Sequence, residues 1–161
     1  MGVEDIVDSP TGWVARHIKD YVETGGRKGH RWSGQDTLLL TTRGRRSGKL
    51  RRTALIYGQD GDRYVVVGSN GGRADHPNWY LNLKHDPEVT VQVRDKVFKA
   101  GAHAAEGKER ERLWALMAKL FPTYDDYKRK TAGKRVIPVV VIEPAIEPAI
   151  EPAQRRSPGR R

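Results

Sequence analysis

Between Arg43 and Arg52 six of ten residues are cationic: Arg43, Arg45, Arg46, Lys49, Arg51 and Arg52. Guanidinium groups present planar forks that take phosphate or carboxylate oxygens two at a time. Gly44 and Gly48 bracket Arg45, Arg46 and Ser47, which suggests a tight turn with exposed backbone N–H groups, a concavity suited to phosphate. The segment is not a nucleotide-hydrolysing P-loop, because the glycine-lysine-hydroxyl order of that motif is missing. Taken alone, it reads equally well as a solvated hairpin tip with surplus charge.

Two further stretches carry polar groups that folding alone does not require. In "GSNGGRADHPNWYLNL", Gly68 to Leu83, a strand ends in Gly-Ser, passes Gly71-Gly72 and enters a helix near Pro77. Such a passage directs backbone N–H groups and the Ser69 hydroxyl to one place. A plain strand-to-helix connection explains it about as well. In "LFPTYDDYKRKT", Leu120 to Thr131, Phe121, Tyr124 and Tyr127 recur every three residues and line one side of a helical turn. A stripe of this kind is more often core than site, yet phenols prefer a polar partner when buried. The five histidines fall on different elements without metal-ligand spacing, and no Ser/His/Asp set or carboxylate pair is readable. No metal is expected.

The elements that must position these groups alternate between helix and strand. Val14, Ile18, Tyr21 and Val22 lie at helical spacing before Gly25-Gly26, predicting a helix over about Thr11 to Thr24. Asp36–Thr42, Arg51–Tyr57 and Arg63–Gly68 read as strands, the last two flanking the hairpin signal "GQDGD". Pro77 opens a short helix through "NWYLNLKH". "VTVQV" alternates strictly and turns at Asp95-Lys96 into Val97–His103. Glu106–Phe121 is the clearest helix, and Arg135–Ile142 is an apolar, central last strand. The expectation is an α+β domain: six mostly antiparallel strands forming a small closed or split β-barrel with flanking helices.

At 161 residues, 37% of them hydrophobic and 31% charged, the chain can bury a real core as one domain. The absence of cysteine removes disulfides, thiolate metal sites and cysteine nucleophiles. No signal pattern and no apolar run of about 20 residues is seen, so the expected location is cytoplasmic. A net charge of +10 favours anionic partners. From Ile142 the unit Ile-Glu-Pro-Ala occurs three times before a basic end, and proline at every fourth position predicts an extended, disordered tail. The division expected is residues 1–34 as N-terminal helix and connecting loop, 35–144 as the cofactor-binding barrel, and 145–161 as tail.

The stretches "LLLTTRGRRSGKLRRTALIY", "GSNGGRADHPNWYLNLKHDPEVTVQV" and "YDDYKRKTAGKRVIPVVVIEP" share an order and spacing that resembles the actinobacterial deazaflavin-dependent nitroreductase family, reductases that use the reduced deazaflavin coenzyme F-420. The resemblance covers about Gln35 to Pro144, and "PNWYLNL" with "RVIPVVV" is its specific part. It implies a split β-barrel and a hydride transfer from the coenzyme to a quinone-like or nitroaromatic acceptor. It also implies that Arg45, Arg46, Ser47 and Arg51 hold the coenzyme's phosphate and nearby carboxylates. Thr53 would approach the deazaflavin ring, Ser69, Asn70, Gly71 and Gly72 would line it, and Trp79 and Tyr80 would pack behind. Tyr124 and Tyr127 would flank the acceptor, with Ser69 beside them in the catalytic set. Ala54 stands where the family commonly has proline, Asn70 where some members have lysine, and Phe121 where a third tyrosine occurs.

Two other ligands compete. Related split barrels bind FMN, which also needs a phosphate-gripping arginine loop. A nucleic-acid module would use the Arg43–Arg52 cluster with a steep salt dependence, but no aromatic residues interleave with it, and no nucleic acid is expected. Peripheral membrane contact through the apolar face of the N-terminal helix, flanked by Arg16 and Lys19, competes with packing of that face on the barrel. The assembly is expected to be a monomer or a homodimer.

Overall fold

The computed structural model describes residues 5–10 and 12–145. In chain order the elements are β1 (Ile6–Asp8), α1 (Gly12–Thr24), β2 (Arg31–Trp32), β3 (Gln35–Arg43), β4 (Leu50–Ile56), β5 (Gly58–Asp60) and β6 (Arg63–Val67). A 3-10 turn at Asn70–Gly72 leads to α2 (Asn78–His85), β7 (Glu88–Val93), β8 (Lys96–Ala104), α3 (Gly107–Leu120), α4 (Thr123–Thr131) and β9 (Val139–Pro144). The α+β class therefore holds, with four α-helices against one mixed nine-stranded sheet. The expected start of α1 at Thr11 and the repeats from residue 146 onward lie outside the described residues.

The sheet runs β1-β4-β3-β7-β8-β9-β6-β5, with β2 paired to β3, and its two ends do not pair with each other. Nine strands replace the expected six. The additional ones, β1, β2 and β5, are two or three residues long, too short to show a period of two. Among the described residues only β1 with β4 is parallel. The hairpin expected between Arg51–Tyr57 and Arg63–Gly68 is corrected: β6 pairs with β5 through the turn Gly61-Asp62, while β4 pairs with β3. Tyr57 alone separates β4 from β5, so the chain leaves one region of the sheet and rejoins it at the far end.

β9 is apolar on both faces because both are covered. Val140 and Ile142 join Leu38, Leu40, Val66 and Val91 in one cluster, whereas Val139 and Val141 join Leu113, Met117 and Tyr124 beneath α3 and α4. Similarly, Leu38 and Leu40 of β3 face the first cluster while Leu39 meets Ile18 and Tyr21 of α1. α1 thus packs part of its apolar stripe on the sheet. The Tyr21 hydroxyl fixes that docking: it donates to the Thr37 carbonyl (2.9 Å) and accepts from the Arg94 N–H (2.7 Å). Trp13 and Val22, on the same helix, remain exposed at 59% and 41%.

Candidate active site

The loop between β3 and β4 is closed by its own backbone. Gly44 N–H donates to the Lys49 carbonyl (2.7 Å), Gly48 N–H to the Gly44 carbonyl (2.8 Å), and Lys49 N–H to Ser47 Oγ (3.1 Å). A Cβ on Gly44 would lie 2.8 Å from Ser47 Oγ and 3.2 Å from the Lys49 carbonyl oxygen, so a side chain there would displace the Ser47 hydroxyl. The loop forms one wall of a cavity of about 620 Å³ that is also lined by Asp8, Thr42, Arg45, Arg46, Ser47, Arg51, Arg52, Thr53, Asn70, Asn78, Trp79 and Asn82.

The cations of this cavity are not equivalent. Arg52 is committed to Asp8 through two hydrogen bonds, 2.7 and 3.2 Å. Arg45 is held by the buried Asn82, whose Oδ1 accepts from both the Arg45 backbone N–H (3.2 Å) and Nη1 (2.9 Å). Asn82 in turn donates to Thr42 Oγ1 at 3.2 Å. Arg46 and Arg51 stay exposed, and among the described residues neither has a carboxylate partner. The result is a fixed fork at Arg45 beside two guanidiniums free to meet an anion.

A second cavity, about 350 Å³, shares Thr53, Asn70 and Trp79 with the first. Its other walls are mainly apolar or aromatic: Trp13, Val14, His17, Trp32, Ala54, Leu55, Ile56, Val67, Pro77, Phe121, Tyr124 and Tyr127, with Thr37, Ser69 and Gly71. The two cavities therefore make one trough, cationic at one limb and aromatic at the other.

The loop after β6 lies at their junction. Ser69 is in the right-handed region and Asn70 in the left-handed region (φ 49°), the alternation that turns successive N–H groups into an anion-receiving nest. Among the described residues, no backbone carbonyl accepts from the N–H of Ser69, Asn70 or Gly71. Their carbonyl side is occupied by Arg135, which donates to the carbonyls of Gly68 (3.0 Å), Ser69 (2.7 Å) and Arg73 (3.0 Å). In a trans peptide the N–H points opposite the C=O, so this clamp turns the Ser69 and Asn70 N–H groups away from Arg135. Gly72 does not line the trough; it packs against α4, where an added Cβ would sit 3.0 Å from Tyr127 Cδ1.

α4 brings the tyrosines. Trp114 Nε1 of α3 donates to Asp125 Oδ1 (2.8 Å) and pins the helix. Tyr124 is 5% exposed, its ring lying 5.0 Å from that of Phe121 and 6.5 Å from that of Tyr127. Its hydroxyl has no hydrogen-bond partner among the described residues, and burial pushes its pKa far above the usual phenol value. A phenol held so firmly protonated has a hydrogen-bond donor to offer.

The trough gathers Arg45, Arg46, Ser47, Arg51, Thr53, Ser69, Asn70, Gly71, Trp79, Tyr124 and Tyr127 from the sequence reading. Tyr80 lies instead in the core, its ring 4.9 Å from His76. Sequence reasoning missed Asn78 and Asn82, although their four-residue spacing on α2 puts both on one helix face and was a usable signal. It also missed Asp8, His17, Trp13, Trp32 and Arg135, which reach the site through tertiary contacts.

The profile of the F420H(2)-dependent quinone reductases matches residues 13–144. The chain belongs to this family. It is 36% identical over 143 residues to an F420H(2)-dependent quinone reductase of Mycobacterium tuberculosis, covering 81% of this chain and 95% of the relative. The solved structure of an F420-H2 dependent reductase is 42% identical over 66% of this chain and 93% of its own, with a TM-score of 0.61. Another, described as a domain-swapped dimer, is 39% identical, covers 84% and 100% of the two chains, and has a TM-score of 0.64. The family match begins at Trp13, so α1 from its second residue onward, with the trough-lining Trp13, Val14 and His17, falls inside it.

Proposed function

We infer that the chain is an oxidoreductase that transfers a hydride from the reduced deazaflavin coenzyme F-420 to a quinone-like acceptor. The observation that carries this reading is the trough itself, in which a cationic limb and an aromatic limb meet at Thr53, Asn70 and Trp79 in a member of this family.

The donor set fits a ligand with a phosphate and carboxylates at one end and a flat ring at the other. Arg45 presents its remaining N–H donors from a fixed position, and Arg46, Arg51 and Ser47 complete the anion limb. The Ser69–Gly71 nest offers N–H donors to the polar edge of the ring. When bound, the coenzyme supplies a hydride, its central ring carrying carbon where a flavin has its redox nitrogen. The chain's part is to bind, to orient and to exclude water. Tyr124 and Tyr127 flank the acceptor, the Tyr124 hydroxyl donating to an acceptor oxygen, and Phe121 and Trp79 keep the limb dry. A nitroaromatic acceptor fits the same limb and is the narrower alternative.

Titration of the protein with the coenzyme, followed by fluorescence with FMN in parallel, tests the cofactor. Reduction of menadione then tests the acceptor class. Saturable binding of FMN alone would favour the flavin reading.

A split barrel is the architecture we propose. Its support is the position of β4 and β5, adjacent in the chain but at the second and last places of the strand order, with β4 approaching β6.

Peripheral membrane contact is a second reading, favoured by one observation. Trp13 and Trp32 stack at 5.5 Å and remain 59% and 38% exposed while lining the aromatic limb, and α1 also carries the exposed cations Arg16 and Lys19. Indole rings favour membrane–water interfaces. Among the described residues no helix is long and apolar enough to cross a membrane. Co-sedimentation with anionic vesicles, lost in Trp13→Ala, is the expected result; equal pelleting of the variant would contradict it.

A further inference from the structure

We propose that His17 donates the proton that completes reduction of the acceptor in the aromatic limb. This inference rests on the reading of the chain as a quinone-type reductase and goes beyond it by naming the acid.

Reduction of a quinone by one hydride leaves a hydroquinone monoanion, with the coenzyme oxidised by two electrons. One proton is still owed to the remaining oxygen, and its source must lie in the limb that holds the acceptor. Among the described residues lining that limb, three side chains titrate: His17, Tyr124 and Tyr127. Tyr124 holds its proton more tightly than a free phenol because it is buried without a partner. An imidazole changes charge near neutrality and is matched to the task.

The orientation of His17 follows from its neighbours. Nε2 lies 3.3 Å from Thr37 Oγ1. The Thr37 hydroxyl is itself within donating distance of the Gly29 carbonyl (2.6 Å) and the His30 carbonyl (3.0 Å). With its proton committed to a carbonyl, Thr37 Oγ1 accepts from His17 Nε2–H. That assignment leaves Nδ1 as the site that gains and loses the titrating proton.

The groups facing the ring are few. Asp20 on α1 and the Gly29 carbonyl favour the charged form, whereas burial, the larger effect, favours the neutral one and holds the pKa below the ordinary imidazole value. The neighbouring Tyr21 ring stacks on it at 6.3 Å. Thr37 from β3 is uncharged, and Tyr124 and Tyr127 from α4 complete the shared wall. No fixed cation is among the described residues lining this limb, so a hydroquinone oxyanion formed there draws the proton from Nδ1. The proton moves to the oxyanion, the imidazolium becomes imidazole, and solvent at the open mouth recharges it.

The decisive experiment compares pH profiles of kcat/KM for menadione in the wild type and in His17→Gln, whose amide keeps a donor toward Thr37. The wild-type rate is expected to fall as pH rises through the His17 titration. His17→Gln should lose that limb and fall on the order of 10²-fold at the acidic plateau, while coenzyme affinity and thermal midpoint stay unchanged, because His17 lines only the aromatic limb. A variant that retains the limb, or the wild-type rate, overturns the proposal. A second readout needs no turnover: NMR titration of the His17 imidazole with and without an anionic hydroxynaphthoquinone. An upward shift on ligand binding is expected, and an unmoved titration overturns the proposal. A wild type that binds no coenzyme would instead overturn the functional reading, with the NMR titration still reporting on His17 and the acceptor.

Discussion

Arg135 Nη2 donates to the Ser69 carbonyl over 2.7 Å, and the same guanidinium holds the carbonyls of Gly68 and Arg73 and contacts His76 Nδ1 at 3.1 Å. One side chain from the approach to β9 thereby sets the orientation of the loop that joins both limbs of the trough. Arg135→Ala should release that loop and weaken coenzyme binding by roughly tenfold or more, about 1.4 kcal/mol or above. Arg135→Lys, a point charge in place of a fork, should recover only part. Fluorescence titration checks both, and wild-type affinity in Arg135→Ala would remove the loop from the account.

Asn82 holds Arg45 by two hydrogen bonds. Asn82→Ala should therefore resemble Arg45→Ala in coenzyme affinity, and the double variant should be little worse than either single one, since coupled residues are non-additive. Additive losses would mean that Asn82 acts separately from Arg45. The Asn82→Ala protein should also be less stable by about 1–3 kcal/mol, because Thr42 and Arg45 lose a buried partner.

The Tyr124 hydroxyl is buried with no partner of its own among the described residues. Tyr124→Phe should leave the thermal midpoint unchanged or raise it, since an unsatisfied buried hydroxyl costs stability. The same change should lower kcat/KM for the quinone by roughly tenfold, the worth of about one hydrogen bond. A fall in stability with unchanged kinetics would assign the hydroxyl to the fold instead.

Acid stability should depend on Asp60, which does not line the trough. Arg112 grips it through two hydrogen bonds (2.8 and 3.0 Å) and Arg63 through a third, and these hold its carboxyl well below the usual carboxylate range. A depressed folded-state pKa stabilises the protein above the ordinary Asp value and is lost as pH falls toward the folded value. Asp60→Asn should therefore lower the thermal midpoint at neutral pH, and the gap should shrink once the medium is more acidic than a free carboxylate. A gap independent of pH would contradict this.

What could be read from the sequence follows from how local each signal is. α3 carries its own apolar period, and β9 advertises burial on both faces by being apolar throughout, so both were legible, β9 starting four residues later than expected. β5 is three residues long and pairs with β6 through a two-residue turn, so "GQDGD" was read as the tip of a hairpin it partly builds. The anion limb was visible as an arginine cluster between glycines. Its division was not: Arg52 is committed to Asp8, a residue 44 positions away, and no local pattern records such a partner. The aromatic limb showed its tyrosine spacing, whereas His17 and the Trp13–Trp32 stack depend on how α1 docks, which is set by Tyr21 meeting Thr37 and Arg94.

The measurement that tests the central claim most directly is a fluorescence titration of the full chain with coenzyme F-420, alongside FMN and repeated on Arg51→Ala. The account predicts saturable binding of the deazaflavin in preference to FMN, weakened roughly tenfold to a hundredfold by the loss of one charged hydrogen-bonding partner. Preference for FMN, no binding of either, or an affinity indifferent to Arg51 would contradict it.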